Sequence, residues 1–328
     1  MSKNKIQFQK SISIHSFISR FGTEEQCRKH LFSLRWPNGF HCPYCGHDQH
    51  CHLKSRPLYQ CNHCHHQSSL IAGTLFAGTK LPLTIWFLAI YLITQEKNGI
   101  SALELSRALG ISYNATWRLK QKIMQAMKER DDEHPLSGFI QLDDAYWGGA
   151  KKGKRGRGAS NKSPFVAAVA LNEELHPVRM RFSMVKGFRK GEIKDWASHH
   201  IEPASLVISD GLSCFNGIGS ADSHHLKIVT GGGAASVELP YFTWVNTMIS
   251  NVKNSMHGTY HAIKRKHLPR YLGEFCYKFN RRNDLENMVT QLLKDCIHTA
   301  AMPARLLKLI DRIFSANSLF QIEKWPHL

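Results

Sequence analysis

No stretch of this chain is apolar for long enough to cross a bilayer. The longest apolar run, Leu81 to Thr94, has 14 residues, short of the ~20 that a spanning helix needs, and reads as a buried helix. The amino terminus, MSKNKIQFQKSISIHSF, lacks the continuous apolar core of a secretory signal. Both absences predict a cytoplasmic protein with no membrane partner. Negative charge is also scarce: 25 Asp and Glu face 43 Lys and Arg, a formal charge of +18. An excess of that size points to a polyanionic partner, because each phosphate neutralised releases counterions, although ribosomal and membrane-surface proteins can be as basic. In a reducing compartment the nine cysteines are expected as metal ligands or core residues, not disulfides.

Four of those cysteines form two CxxC pairs, Cys42-Pro-Tyr-Cys45 and Cys61-Asn-His-Cys64, separated by 15 residues. Tetrahedral zinc needs four soft donors, and each CxxC turn brings two thiolates to one point, so the spacing predicts a zinc ribbon. A site closed by four thiolates has no open position, so this Zn2+ is structural and not catalytic. His41, His47, His63, His65 and His66 are alternative donors that four thiolates make unnecessary. Lys54, Arg56 and the tail Ser68 to Leu75 suit a module resting on DNA or on a neighbouring domain. Upstream, Thr23 to Trp36 reads as a Thr-capped amphipathic helix with Cys27, His30, Leu31 and Leu34 on one stripe.

Residues 81 to 127 read as helices. Ser101 to Leu109, a turn at Gly110-Ile111-Ser112, and Tyr113 to Met127 with Trp117, Arg118, Lys120 and Lys122 follow the helix-turn-helix pattern, whose second helix can enter a major groove. An ordinary helical hairpin looks the same. Asp131-Asp132-Glu133-His134-Pro135 reads as a polar break and a domain boundary.

Beyond it, strands are expected around 139 to 147, 165 to 172 and 179 to 185, a helix around 190 to 200, strands at 206 to 210 and 225 to 229, and a helix from 243. Three strands, helix, strand, strand, helix is the order of an RNase H-like α/β sheet. Two strands end in acid: Phe139-Ile140-Gln141-Leu142 runs into Asp143-Asp144, and Leu206-Val207-Ile208 into Ser209-Asp210-Gly211. Buried strands deliver such carboxylates to the rim of a sheet, although Asp-Gly is also common turn chemistry. In a basic protein the pair points to metal-assisted phosphoryl chemistry, because ions clamping attacking and leaving oxygens need carboxylates converging from rigid elements.

A third oxygen ligand is expected on the helix after the last core strand. Asn246 is there, with 35 residues between it and Asp210, and Lys253 lies two turns later on the same face. An amide oxygen coordinates Mg2+ without contributing charge; Glu238, near Pro240, is the alternative, and Asp222 lies in a loop ahead of the last strand. Lys151, Lys152, Lys154, Arg155 and Arg157 form a Gly-spaced basic hairpin between the first two strands, suited to a phosphate backbone or to plain solvation. Gly258 to Arg282 mixes seven Lys and Arg with aromatics, as a DNA-facing segment would.

The paired CxxC, Leu-Asp143-Asp-Ala-Tyr-Trp-Gly-Gly, the basic hairpin, Ser-Asp210-Gly, Asn246 with Lys253, and Gly258-Thr-Tyr-His261 running into Tyr277-Lys-Phe-Asn-Arg-Arg282 carry a family resemblance. Over roughly Phe21 to Arg282 the chain resembles bacterial insertion-sequence transposases with an amino-terminal zinc ribbon and a DDE-type catalytic domain, the group related to eukaryotic Merlin elements. The resemblance implies that Asp143 rather than Asp144 takes the first catalytic place and Asp210 the second. Asn246 stands third, where Glu is common. It implies catalytic Mg2+ held by Asp143, Asp210 and Asn246, and a backbone contact by Lys253. Double-stranded DNA is the implied partner, as terminal inverted repeats and target. A homo-oligomer, at least a dimer, acting in the bacterial nucleoid is implied as well. The division expected is 1 to 40 helical, 41 to 78 zinc ribbon, 79 to 130 helix-turn-helix with Trp117, Arg118 and Lys120 facing DNA, 137 to 285 catalytic, and 286 to 328 a helical tail. Its rivals are a non-joining RNase H-like nuclease and a catalytically inactive DNA-binding regulator.

Overall fold

The computed structural model describes residues 9–53, 56–149, 162–229, 239–260 and 262–309. The chain forms two compact units, neither contiguous. A ribbon unit gathers His15–Ile90, Ala102–Ile123 and Leu292–Leu328; a sheet unit gathers Met1–Ile14, Tyr91–Ser101 and Met124–Gln291.

In the ribbon unit, α1 (Ile14–Phe21) precedes α2 (Glu24–Arg35). Thr23 opens α2 with a reciprocal capping box: its hydroxyl accepts from the Gln26 amide at 3.2 Å, and its own amide donates to Gln26 Oε1 at 3.0 Å. The antiparallel strands β1 (His50–His52), β2 (Leu58–Cys61) and β3 (Gln67–Ser69) follow. Phe32, Trp36, Phe40 and Tyr59 cluster on Cys42 and Cys61. The apolar run becomes α3 (Leu83–Gln95), with Trp86, Phe87, Ala89 and Ile90 buried. Glu24 of α2 accepts from the Leu83 and Thr84 amides at 2.8 and 3.3 Å, satisfying the first turn of α3 with a negative charge. Helices α4 (Ala102–Leu109) and α5 (Tyr113–Asp132) are joined at Gly110, whose φ of +64° suits a residue without a Cβ. Three of the unit boundaries fall inside α1, α3 and α5. No described helix is long and apolar enough to cross a membrane.

The sheet unit is built on β4 (Phe139–Trp147), β5 (Ser163–Leu171), β6 (Pro177–Met184), β7 (Leu206–Ser209) and β8 (His224–Lys227), with α6 (Lys190–His200) between β6 and β7. Strand order is β6-β5-β4-β7-β8; the first three pair antiparallel, while β4–β7 and β7–β8 are parallel. Helices α7 (Thr243–Thr259) and α8 (Leu268–Asn280) follow; α9 (Met288–His298), from Leu292 on, and α10 (Ala304–Leu309) belong to the ribbon unit. One sheet face, with Ile140, Leu142, Val166 and Ala168, packs on Ile193 and Ala197 of α6. The other, with Ala145, Trp147, Phe165 and Ala167, packs on Val245 and Val252 of α7 and Leu272 of α8. A mixed sheet covered on both faces explains why β5 is buried at every position. The architecture is consistent with an α/β nuclease-like fold.

Two expectations need correction. The polar break expected from Asp131 begins later: Asp131 lies in the last turn of α5, which runs to Asp132, with 3% exposure. It pairs with Arg179 at 3.0 Å and Arg281 at 3.2 Å, and accepts from Asn280 Nδ2. Its partners stand 48 and 150 residues on, so a window of sequence shows the acids without the cations. Nor does all of Gly258 to Arg282 face outward. Arg270 is fully buried and donates to Gln125 Oε1 at 2.9 Å, and Lys278 donates to Glu274 Oε1 at 3.0 Å.

Candidate active site

The parallel register decides where the strand-borne acids meet. Leu142 of β4 pairs with Ser209 of β7, so the next residues, Asp143 within β4 and Asp210 just beyond β7, stand side by side where that parallel pairing ends. Oxygens of Asp143, Asp144 and Asp210 lie within 4.8 Å of one another. An octahedral Mg2+ with ligands at ~2.1 Å holds them ~3.0 to ~4.2 Å apart, so this donor set fits such an ion. Asp143 Oδ1 accepts from the Asp144 amide at 2.8 Å, and Asp210 Oδ1 from the Leu212 amide at 3.0 Å. These backbone donors orient the carboxylates.

Alternation along β4 separates the neighbouring acids. Ala145 and Trp147 belong to the core beneath α7, whereas Ile140 and Leu142 belong to the opposite core. Asp143 therefore starts from the α7 side and Asp144 from the other, and Ile208 puts Asp210 in step with Asp143. Gln141, also in step with Asp143, is 1% exposed. Its Nε2 donates to the Pro240 carbonyl at 3.1 Å, and its Oε1 accepts from the Trp244 and Val245 amides at 3.0 and 3.1 Å. Gln141 thus clamps the first turn of α7 onto the strand that carries Asp143. A polar side chain within an apolar strand is the signal for such a clamp, since buried polar groups find partners.

Helix α7 brings Asn246, half-buried, and two turns later Lys253, whose ammonium lies 6.0 Å from the Phe165 ring centroid. Burial draws the Lys253 pKa below the ordinary lysine value; Asp143 and Asp144 oppose that shift and Lys162 adds to it. The lysine therefore sits in the field of the acidic cluster. Lys162 lies 5.9 Å from the Tyr146 ring, and His257 stacks on Trp147 with centroids 4.5 Å apart. Gln141, Lys162 and His257 all line this region without having been singled out by motif, and Asp144, set aside in favour of Asp143, joins the cluster.

The cysteines also converge. Cys42 and Cys64 Sγ atoms are 3.6 Å apart, as are those of Cys45 and Cys61, and all four thiols lie within 4.8 Å. Tetrahedral zinc with Zn–S of ~2.3 Å requires ~3.8 Å between sulfurs, so four thiolates fit structural zinc. The two loops repeat one design: the Cys42 amide donates to the His47 carbonyl at 2.9 Å, and the Cys61 amide to that of His66 at 3.0 Å. Gly46 and His65 follow their pairs with φ of +78° and +60°.

Of the residues expected to face DNA, Arg118 is exposed and Trp117 half-buried. Lys120 is corrected: it is 1% exposed, on the inward side of α5 with Thr116 and Ile123, and cannot reach a phosphate from there. Lys151, Lys152, Lys154, Arg155 and Arg157 lie outside the described residues, as do Lys54, Glu238 and His261.

A mixed sheet with carboxylates gathered where its parallel strands β4 and β7 part stands in a chain that also carries a four-cysteine cluster, the pairing of a nuclease-like site with a zinc ribbon. Residues 135–280 match the ISXO2-like transposase domain, and residues 22–67 the transposase zinc-ribbon domain. Over these two stretches the chain is similar to transposases, in the order zinc ribbon then transposase domain. An uncharacterized protein in transposable element ISH50 of Halobacterium salinarum is 26% identical over 235 residues, 66% of this chain and 76% of that relative. A solved structure described as a pre-cleavage Mos1 transpososome aligns with 60% of this chain and 77% of its own at 8% identity, with a TM-score of 0.19, too low to bear on the fold.

Proposed function

We propose that the chain is an insertion-sequence DNA transposase with an RNase H-like catalytic domain, which cuts element ends and joins the 3′-hydroxyls to target DNA. The observation that carries this reading is the meeting of Asp143 and Asp210 where the parallel β4–β7 pairing ends, within the transposase-domain match. Asp143, Asp210 and Asn246 hold divalent ions, and Lys253 contacts the DNA backbone beside them. Bound Mg2+ would activate the attacking oxygen and neutralise charge on the leaving one. The chain's own task is to place that donor set on rigid elements, which the β4–β7 register and the Gln141 clamp favour.

Arg118 and Trp117, with the basic hairpin 151–157, contact duplex DNA at inverted repeats and target, and the zinc ribbon supports that binding. At least two chains act together, one at each end. The test is Mg2+-dependent cleavage and joining of DNA carrying the flanking ends of the gene, by the native protein and by Asp143→Asn and Asp210→Ala. Joined products lost in both variants, with DNA binding retained, are expected. Cleavage without joining would replace the reading by a nuclease, and specific binding with neither by a regulator. Asn246→Ala should weaken turnover and Glu238→Ala should be mild; the reverse would move the third ligand to Glu238.

A further inference from the structure

Ser209, the residue before Asp210, is fully buried at the end of β7. Its hydroxyl donates to the Asp210 carbonyl at 3.1 Å and lies 2.8 Å from His225 Nε2 on the neighbouring strand β8. A serine hydroxyl has one proton. With that proton on the Asp210 carbonyl, the imidazole must be the donor to Ser209 Oγ. The chain of hydrogen bonds then runs from His225 Nε2–H to Ser209 Oγ–H to the Asp210 backbone.

The surroundings hold this arrangement in place. His225 pairs with Val207 in the parallel β7–β8 ladder, which sets its side chain beside Ser209. It is half-buried beside the 3-10 segment Ser213–Ser220, where a Cβ added at Gly219 would stand 3.8 Å from the His225 Cβ. That segment begins directly after the Asp210 turn, so imidazole, hydroxyl and turn form one layer. Burial, and then Lys227, keep the imidazole pKa below its ordinary value, which favours the neutral ring with a single N–H.

We propose that His225 is a positioning residue for the metal site, acting through Ser209 to fix the backbone of Asp210 and hence the direction of its carboxylate. The inference rests on the reading of Asp210 as a divalent-ion ligand. Partners one step behind a metal ligand fix its orientation, and losing them weakens metal binding by about 10-fold to 100-fold.

The experiment is Mn2+ binding to the intact, zinc-loaded protein without DNA, followed by electron paramagnetic resonance and calorimetry, with thermal melting as the control for folding. Asp210→Ala tests the underlying reading, and an unchanged affinity there would overturn that reading itself. With Asp210→Ala impaired, His225→Phe and Ser209→Ala should each weaken Mn2+ binding about 10-fold or more. The double variant should lose no more than either single one, because both break one chain. His225→Gln, which keeps an N–H donor, should restore most of the affinity. Native-like Mn2+ affinity in a folded His225→Phe protein would overturn the proposal, as would a loss in His225→Gln equal to that in His225→Phe. Should His225→Phe melt at a lower temperature, Ser209→Ala supplies the same comparison with a smaller change of volume.

Discussion

At the scale of the residue, His200 sets an acid limit on the sheet unit. Its Nδ1 is shut away from solvent, and its pKa is lowered from the ordinary 6.5 to about 3, first by burial and then by Arg181, with Asp132 opposing. The unfolded chain takes up this proton near 6.5 and the folded one only near 3. The stabilising contribution is therefore complete above 6.5 and lost progressively as pH falls toward 3, at up to ~1.4 kcal/mol per pH unit. Urea unfolding at pH 6.5 and 5.0 should show a loss of up to ~2 kcal/mol that His200→Gln removes; an unchanged slope would clear His200. Asp132, whose carboxyl is held below its ordinary 3.8 by Lys128 and Arg181 against burial, acts only at lower pH. Local residue chemistry was legible where a side chain acts near its own position. Asp143 and Asp210 announce themselves by ending apolar runs, whereas Lys120 misleads because a lysine on a basic helix looks exposed until the helix is packed.

At the scale of the element, two contacts decide how the strand ends meet their neighbours. Replacing Gln141 by Ala leaves the Trp244 and Val245 amides without their acceptor, a loss of ~1 to ~3 kcal/mol. Denaturant unfolding should report that loss, and faster amide exchange in the first turn of α7 should locate it. Gly217 is the second contact. A Cβ there would stand 2.4 Å from the Lys190 carbonyl oxygen and 3.0 Å from the Lys194 amide, backbone atoms of α6 that cannot rotate away. Gly217→Ala should lower stability by ~1 to ~3 kcal/mol, and a native-like melt would show that the 3-10 segment shifts freely. Element types and most boundaries could be read from apolar periodicity and turn residues. The Gln141 clamp could not, because its partners lie 99 to 104 residues away.

At the scale of the whole molecule, the zinc knot and the acidic cluster belong to different units. Chelation of zinc, or Cys61→Ser, should open the ribbon to proteolysis between Phe40 and Ser69 while Mn2+ binding at Asp143 and Asp210 persists. Loss of both together would mean that the metal centres are energetically coupled. The serial division of the chain into modules follows motifs, and motifs are contiguous by nature. The compact units are not: Asp131 joins Arg179 and Arg281, and the Leu75 amide donates to the Cys296 carbonyl at 3.0 Å.

That last hydrogen bond bears on how the protein is made. Leu292, Leu293 and Cys296 are buried in the ribbon unit, although the ribbon itself leaves the ribosome more than two hundred residues earlier. A nascent chain therefore exposes Leu75, Phe76 and their neighbours throughout synthesis of the sheet. Translation that stops before Leu292 yields a polypeptide with both side-chain clusters encoded and one core unfilled, a substrate for chaperones and proteases.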